Sequence, residues 1–232
     1  MSDIRVVGLG SAVLDILARI EQMPQWENPG SLLDLEIDGG GPVATALVAV
    51  ERLGAHAGMV GTYGTNRVGQ IKLQTLAEHG VDVSRMVPRQ GTDTQACIAY
   101  IDAASGERVF SALHNLAHDA LTLDELDRDY IIAADYLHLD GRHPDAALQA
   151  ARWMRAAGKK VMVDGPATRG GWPIAPVMPE LIAESDVLIC GAGFRPDLTG
   201  LTDVWEIGRA LLAMGPRVPA RKPVLLIHQV PS

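Results

Sequence analysis

Three consecutive glycines, Gly39-Gly40-Gly41, run into Pro42 and an almost wholly apolar stretch, Val43-Ala44-Thr45-Ala46-Leu47-Val48-Ala49-Val50. This junction constrains the chain more than any other segment. Upstream, Leu33-Asp34-Leu35-Glu36-Ile37-Asp38 alternates apolar and polar residues, the period of a strand with one wet face. Downstream, the apolar run predicts a helix packed on nearly every side. Residues without a Cβ let the main chain turn sharply between the two and let a ligand reach the backbone. Pro42 suits the first helical position, where a missing N–H costs nothing. Gly54 is placed to end the helix in the left-handed conformation. The unpaired N–H groups and positive dipole end of such a helix suit either hydroxyls or an anion. A tight strand-to-helix turn with no ligand satisfies the same residues.

The remainder reads as alternating strands and helices with one interruption. Ile4-Arg5-Val6-Val7-Gly8-Leu9-Gly10 predicts a buried parallel strand and a glycine turn. Gly8-Leu9-Gly10 lacks the third glycine and the following helix of a dinucleotide-binding fingerprint. Instead Asp15-Ile16-Leu17-Ala18-Arg19-Ile20 alternates as a half-exposed strand. Thr94 to Asp102 and Glu107 to Leu113 form a second amphipathic pair, joined across Ala103-Ala104-Ser105-Gly106 with glycine in the turn. Strands over about 14–20, 32–38, 94–102 and 107–113 therefore predict a small lid sheet inserted in a β-α-β pattern. Thr122-Leu123-Asp124-Glu125 has the form of a capping box. Strands at Tyr136–Asp140, Lys160–Asp164 and Asp186–Cys190 follow, with an alanine-rich helix from Pro144 to Ala157 stopped by Gly158. Such spacing implies right-handed crossovers and a doubly wound, mainly parallel α/β sheet within one domain, 1–232. Asp140, Gly141 and Arg142 lie at a strand's C-terminal end, where open α/β sheets bind ligands, and Asp164 ends the next strand. Each fits a ligand cleft, and each fits a helix cap equally well.

Composition narrows the partners. With 28 acidic against 20 basic residues and net charge −8, nucleic acid and anionic membrane surfaces are poor partners. Cys97 and Cys190 are too few and too far apart for a disulfide framework or a thiolate metal site, and they point to a reducing cytoplasm. No apolar run is long enough to span a bilayer, and Met1-Ser2-Asp3-Ile4-Arg5 enters a strand without the parts of a secretory signal. His114 and His118 are four apart but lie in no convincing helix, so no zinc site is expected there.

The glycine junction and the segments after it resemble the pfkB-type, ribokinase-like carbohydrate kinases. In that family a Gly-Gly pair opens a long apolar helix ending in Leu-Gly, as GGGPVATALVAVERLG does here. Met59-Val60-Gly61, Gly64-Thr65-Asn66-Arg67-Val68-Gly69 and Gly80-Val81-Asp82 follow in the family's order, with Asn66 in place of the usual Asp. Tyr136 to Arg142 is similar to the fructokinase and ketohexokinase branch. The resemblance implies a doubly wound sheet with a β lid and ATP-dependent phosphorylation of a sugar or sugar-like hydroxyl compound, with ATP and Mg2+ as cofactors. It also implies that Asp15, Gly40, Gly41 and Thr45 position the sugar, that Asp140 and Arg142 line the substrate cleft, and that Asp164 faces the cofactor. A homodimer formed through the lid is a further implication. Three departures stand out. Pro42 and Thr45 replace sugar-contacting Asn residues, and Gly191 and Phe194 stand where an Asn-x-x-Glu motif helps hold magnesium. The family's Asp-Thr-x-Gly-Ala-Gly-Asp segment, source of the catalytic base, has no counterpart before Ser232. The expectation is a truncated or frame-shifted kinase, inactive as this chain. The alternative is a non-catalytic carbohydrate-binding, regulatory or dimerisation remnant.

Overall fold

The computed structural model describes residues 4–91, 95–113, 120–165, 174–190, 198–215 and 224–227. The strands are β1 (Ile4–Leu9), β2 (Val13–Ile20), β3 (Leu32–Gly40), β4 (His56–Gly64), β5 (Asp82–Arg89), β6 (Ala96–Asp102), β7 (Arg108–Ala112), β8 (Tyr136–Leu139), β9 (Lys160–Gly165), β10 (Val187–Cys190) and β11 (Val224–Ile227). The helices are α1 (Pro42–Arg52), α2 (Arg67–Glu78), α3 (Arg128–Ala133), α4 (Pro144–Ala156), α5 (Met178–Ala183) and α6 (Val204–Met214). Seven strands form one sheet in the order β11-β10-β9-β8-β1-β4-β5, and every pairing in it is parallel. The other four form a mixed sheet in the order β3-β2-β6-β7.

Alternation along β1 decides how the helices sit. Val7 and Leu9 enter a core with Leu137, Leu139, α4, α5 and α6. On the opposite face, Val43, Ala44 and Leu47 of α1 pack with Met59 and with Leu76 of α2. Gly8 points to that second face, where an added Cβ would collide with Val43 and Leu47. Its lack of a side chain is what brings α1 hard against β1 and fixes the height of the helix N-terminus above the sheet. Leu47 is fully buried there; burying such a side chain contributes about 1.5–3 kcal/mol. Helices on both faces of a parallel sheet make the doubly wound arrangement that the spacing predicts.

Local signals behave as their chemistry requires. Pro42 occupies the first turn of α1, and Gly54, Gly80 and Gly158 adopt positive φ of 89°, 89° and 70° just past the ends of α1, α2 and α4. Both halves of the Thr122–Glu125 capping box form, but they open a single 3-10 turn. The helix proper starts later, at Arg128, where the Asp127 side chain accepts from the Tyr130 N–H. Asn66, the departure from the family pattern, caps α2: its Oδ1 accepts the Gly69 N–H at 3.1 Å.

The lid sheet differs from expectation at β3. One wet face is predicted, yet Leu32 through Asp38 is exposed on both faces. Register places Ile16, Ala18, Leu35, Ile37, Tyr100 and Val109 on one side. Leu35, Ile37 and Val109 on that side are 53–56% exposed. The alternation is present, and Ala18 on the same side is buried, but the described residues leave Leu35, Ile37 and Val109 uncovered.

Candidate active site

The site grows from the bend that carries the chain out of β1 into the lid. Asp140, at the end of β8, reaches under this bend. Its Oδ2 accepts the Ser11 N–H at 2.9 Å and its Oδ1 accepts the Arg142 N–H at 3.0 Å. Gly10 passes so close that a Cβ there would meet the same carboxylate. Ser11 then passes the connection on, its carbonyl accepting the Ala44 N–H of α1 at 3.2 Å. Asp140 is 5% exposed, and both of its oxygens are engaged by the backbone. The structure therefore places this predicted substrate contact beneath the site, as a strut between β8, the bend and α1. Arg142 follows it, half-buried, on the same loop.

Above the strut lie the glycines. Gly41 has φ of +94° and precedes α1 with no side-chain cap. A Cβ on it would stand 2.8 Å from the Ser11 carbonyl oxygen, so any other residue is excluded by both backbone conformation and space. Gly40 is buried against the carboxylate of Asp15, which occupies the space that a Gly40 side chain would fill. Asp15 receives the Cys97 thiol, Sγ to Oδ1 at 2.9 Å. Thr45, one turn into α1, is exposed. Gly40 and Thr45 line a solvent-open pocket with Asp38, Lys72 and Thr75. Asp15, Gly40, Gly41 and Thr45 thus assemble at the mouth of α1.

Asp164, at the end of β9, stands apart from that group and closer to Asp140. Burial, and then the charge of Asp140, pushes its carboxyl up to about 6. Two acids at the ends of neighbouring parallel strands oppose each other's ionisation. That marks the spot as one where a cation or a proton is favoured.

The chain matches the description "pfkB family carbohydrate kinase" over residues 4–203. It belongs to the pfkB family of carbohydrate kinases. Among curated relatives, an ATP-dependent ribose-1-phosphate kinase of Halopiger xanaduensis is 27% identical over 161 residues, 69% of this chain and 54% of the relative. A fructokinase of Klebsiella pneumoniae is 34% identical over 131 residues, 56% of this chain and 38% of the relative. The chain spans about half the length of the curated relatives it matches. The Arabidopsis thaliana ribokinase solved with ribose and ATP superposes with a TM-score of 0.74 at 21% identity, covering 98% of this chain and 72% of that one. The likeness to this structure bears on the fold, which is the ribokinase-like α/β sheet with its lid.

Three polar groups, two of them buried, have roles that the sequence does not signal or signals only weakly. Lys72 is buried on α2 and donates from Nζ to the Thr62 carbonyl at 3.0 Å. Its signal was available: it lies one turn from Leu76 and from Gly69 on the buried side of the helix. His143 is buried with φ of 56°, and its Nδ1 accepts the Leu121 N–H at 3.1 Å. Burial, and then the positive charges of Arg142, Arg89 and Lys72, holds it down to about 3. Nothing in the sequence signals a left-handed histidine before Pro144. Cys97, half-buried, is the third: weighed in the sequence for disulfides and thiolate metal sites, it is the hydrogen-bond partner of Asp15.

The family implies ATP with Mg2+. Among the described residues no three His, Cys, Asp or Glu are grouped to hold an ion, and a hard cation needs several oxygen ligands. Mg2+ is usually held by one or two carboxylates together with phosphate oxygens and water, and Asp164 at the end of β9 is a described carboxylate that would offer such a ligand. Gly191 and Phe194, the positions matched to the Asn-x-x-Glu motif, lie outside the described residues, as do Thr94, His114 and His118.

Proposed function

We propose that this chain supplies the sugar-recognition part of an ATP-dependent kinase that phosphorylates a hydroxyl of a sugar or sugar-like compound. The observation that carries the reading is the Asp15 carboxylate, seated on the bare α-carbon of Gly40 at the uncapped start of α1. A carboxylate accepts two hydroxyl protons, while the exposed Thr45 hydroxyl and the positive end of the α1 dipole answer the sugar oxygens. Asp15, Gly40, Gly41 and Thr45 hold the sugar in this reading. Arg142 approaches from the β8 loop, Asp140 steadies that loop from below, and Asp164 faces the nucleotide side. No residue of this chain is assigned the role of base, and no step is routed through magnesium. The relatives named above act on different acceptors, a ribose phosphate in one case and fructose in another, so the acceptor is to be found by titration.

Calorimetry with ribose and fructose tests the reading directly. Binding of at least one of these sugars by the wild type, lost in Asp15→Asn, is the expected result. Heat from neither sugar, or unchanged binding in Asp15→Asn, would overturn it. A coupled ADP-release assay decides whether the chain also turns the sugar over.

The half-exposed apolar side of the lid favours a second role. Leu35, Ile37 and Val109 share one face, and an open sheet of that kind is stabilised by a partner. A second copy of this chain, laid lid against lid, is the occupant proposed, and a non-catalytic dimerising or carbohydrate-binding role is compatible with it. Among the described residues no helix is long and apolar enough to cross a membrane. A cytoplasmic setting, with no nucleic-acid or membrane partner, is proposed on the two cysteines and the net charge of −8.

A further inference from the structure

Asp15 sits in the middle of a row that crosses three lid strands. Register places Asp38 of β3 on one side of it and Cys97 of β6 on the other. Side chains paired across strands in this way project from the same face of the sheet. Asp38 repels Asp15, and it already accepts the Gly39 N–H at Oδ1, at 2.7 Å. Among the described residues, the thiol of Cys97 is the one hydrogen-bond donor on the Asp15 carboxylate.

We propose that Cys97 is a positioning residue for sugar recognition, its S–H fixing Asp15 so that the second carboxylate oxygen faces Gly40 and the start of α1. The proposal rests on the reading of Asp15 as the sugar-binding group. A thiol can do this only while it keeps its proton. Burial, the hydrogen bond to Asp15 and the charge of Asp15 push Cys97 up to about 12, so at neutral pH it is a donor and not a thiolate. Geometry agrees with the assignment. Oδ1 is taken by sulfur, and Oδ2 is the atom nearest to where a Gly40 Cβ would stand. Without the thiol, repulsion from Asp38 has no counterweight, and the carboxylate is free to rotate away from the helix start.

Two measurements test this. In the first, sugar affinity is titrated for the wild type, Cys97→Ser and Cys97→Ala. The alanine variant is expected to bind the sugar roughly five- to ten-fold more weakly, the equivalent of one hydrogen bond. Serine, which keeps a donor, should restore binding to within about two-fold of the wild type. Helix and strand content by circular dichroism should be unchanged across the series. Wild-type affinity in the alanine variant, or a serine variant as weak as alanine, would overturn the proposal.

The second measurement does not depend on sugar. In a Cys190→Ser background, the rate of Cys97 alkylation by iodoacetamide at mildly alkaline pH is compared with and without Asp15→Asn. Removing the negative charge lowers the thiol pKa, so alkylation should be faster in the Asn variant. An unchanged rate would show that the two side chains are not coupled, and the proposal would fall. A wild type that binds no sugar but shows the coupling refutes the sugar reading of Asp15 and leaves the contact itself standing.

Discussion

Replacing Asp140 with asparagine should unfold this protein more readily and loosen the sugar site without touching a ligand. The carboxylate is 5% exposed and accepts two backbone N–H groups, from Ser11 and from Arg142. Hydrogen bonds to a buried charged acceptor contribute about 1.5–3 kcal/mol each, and a buried N–H left without a partner costs about 1–3 kcal/mol. Asparagine keeps one acceptor oxygen and turns an amide donor towards the other N–H. One bond is therefore lost and one donor is left facing another, for a net loss of about 2–4 kcal/mol. In a chain of this size each kcal/mol lowers Tm by about 2–4 °C, which predicts a fall of about 5–15 °C. Alanine, which loses both acceptors, should be worse.

Urea denaturation at neutral pH is the assay, with the slope against urea compared to confirm that the same surface unfolds. The damage should reach the site, because Ser11 links Asp140 to the Ala44 N–H at the start of α1. Sugar affinity in Asp140→Asn should therefore drop as well, although Asp140 itself is covered. A variant within about 0.5 kcal/mol of wild type, the scatter of ordinary surface changes, would refute the strut. It would leave Asp140 available as the direct substrate contact that its place at a strand end first implies.

The other expectations can be checked separately. Gly40→Ala puts a Cβ into the Asp15 carboxylate at a residue whose φ is not in the left-handed region; sugar affinity should fall about ten-fold or more with little change in Tm, and a double mutant with Asp15→Asn should show no further loss. Asp164 has its pKa raised from 3.8 to about 6, so the native state binds the proton more tightly than the unfolded chain does. Its contribution is harmless below the unfolded value and becomes destabilising as pH rises through the folded one. Asp164→Asn should match wild type near pH 4 and exceed it at pH 8 by on the order of 1–2 kcal/mol after solvent screening, measured by urea denaturation at both pH values. Placing charges on the lid with Leu35→Glu and Ile37→Lys should shift sedimentation to the monomer without loss of helix content; a wild type already monomeric at high concentration would end the lid-dimer proposal.

What was legible in the sequence, and what was not, follows from where each constraint acts. A turn that needs positive φ, a helix that needs a capping group and a strand that needs alternation are local demands, met by the residues at that place. Gly41, Gly54, Pro42 and the β1 and β2 patterns could therefore be read directly, and with them the strands and helices of the two sheets, whereas the grouping of Asp15 with the glycines came only from the family resemblance. The polar floor of the site is not local. Asp140 lies 129 residues from the Ser11 N–H it accepts, and Cys97 lies 82 residues from Asp15. Each is an unremarkable side chain until the topology brings its partner to it. The same separation explains why the sequence leaves Asp140 open between a ligand cleft and a helix cap, while in the fold it is a strut. A carboxylate at the end of a parallel strand has open space ahead of it in most α/β sheets, but here β1 bends away into the lid at Gly10. The bend exposes a Ser11 N–H that β4 and β8 do not satisfy, and burying a backbone donor without a partner is costly. The carboxylate nearest that N–H is drawn down to it, which turns Asp140 away from the open space that its strand end would otherwise face.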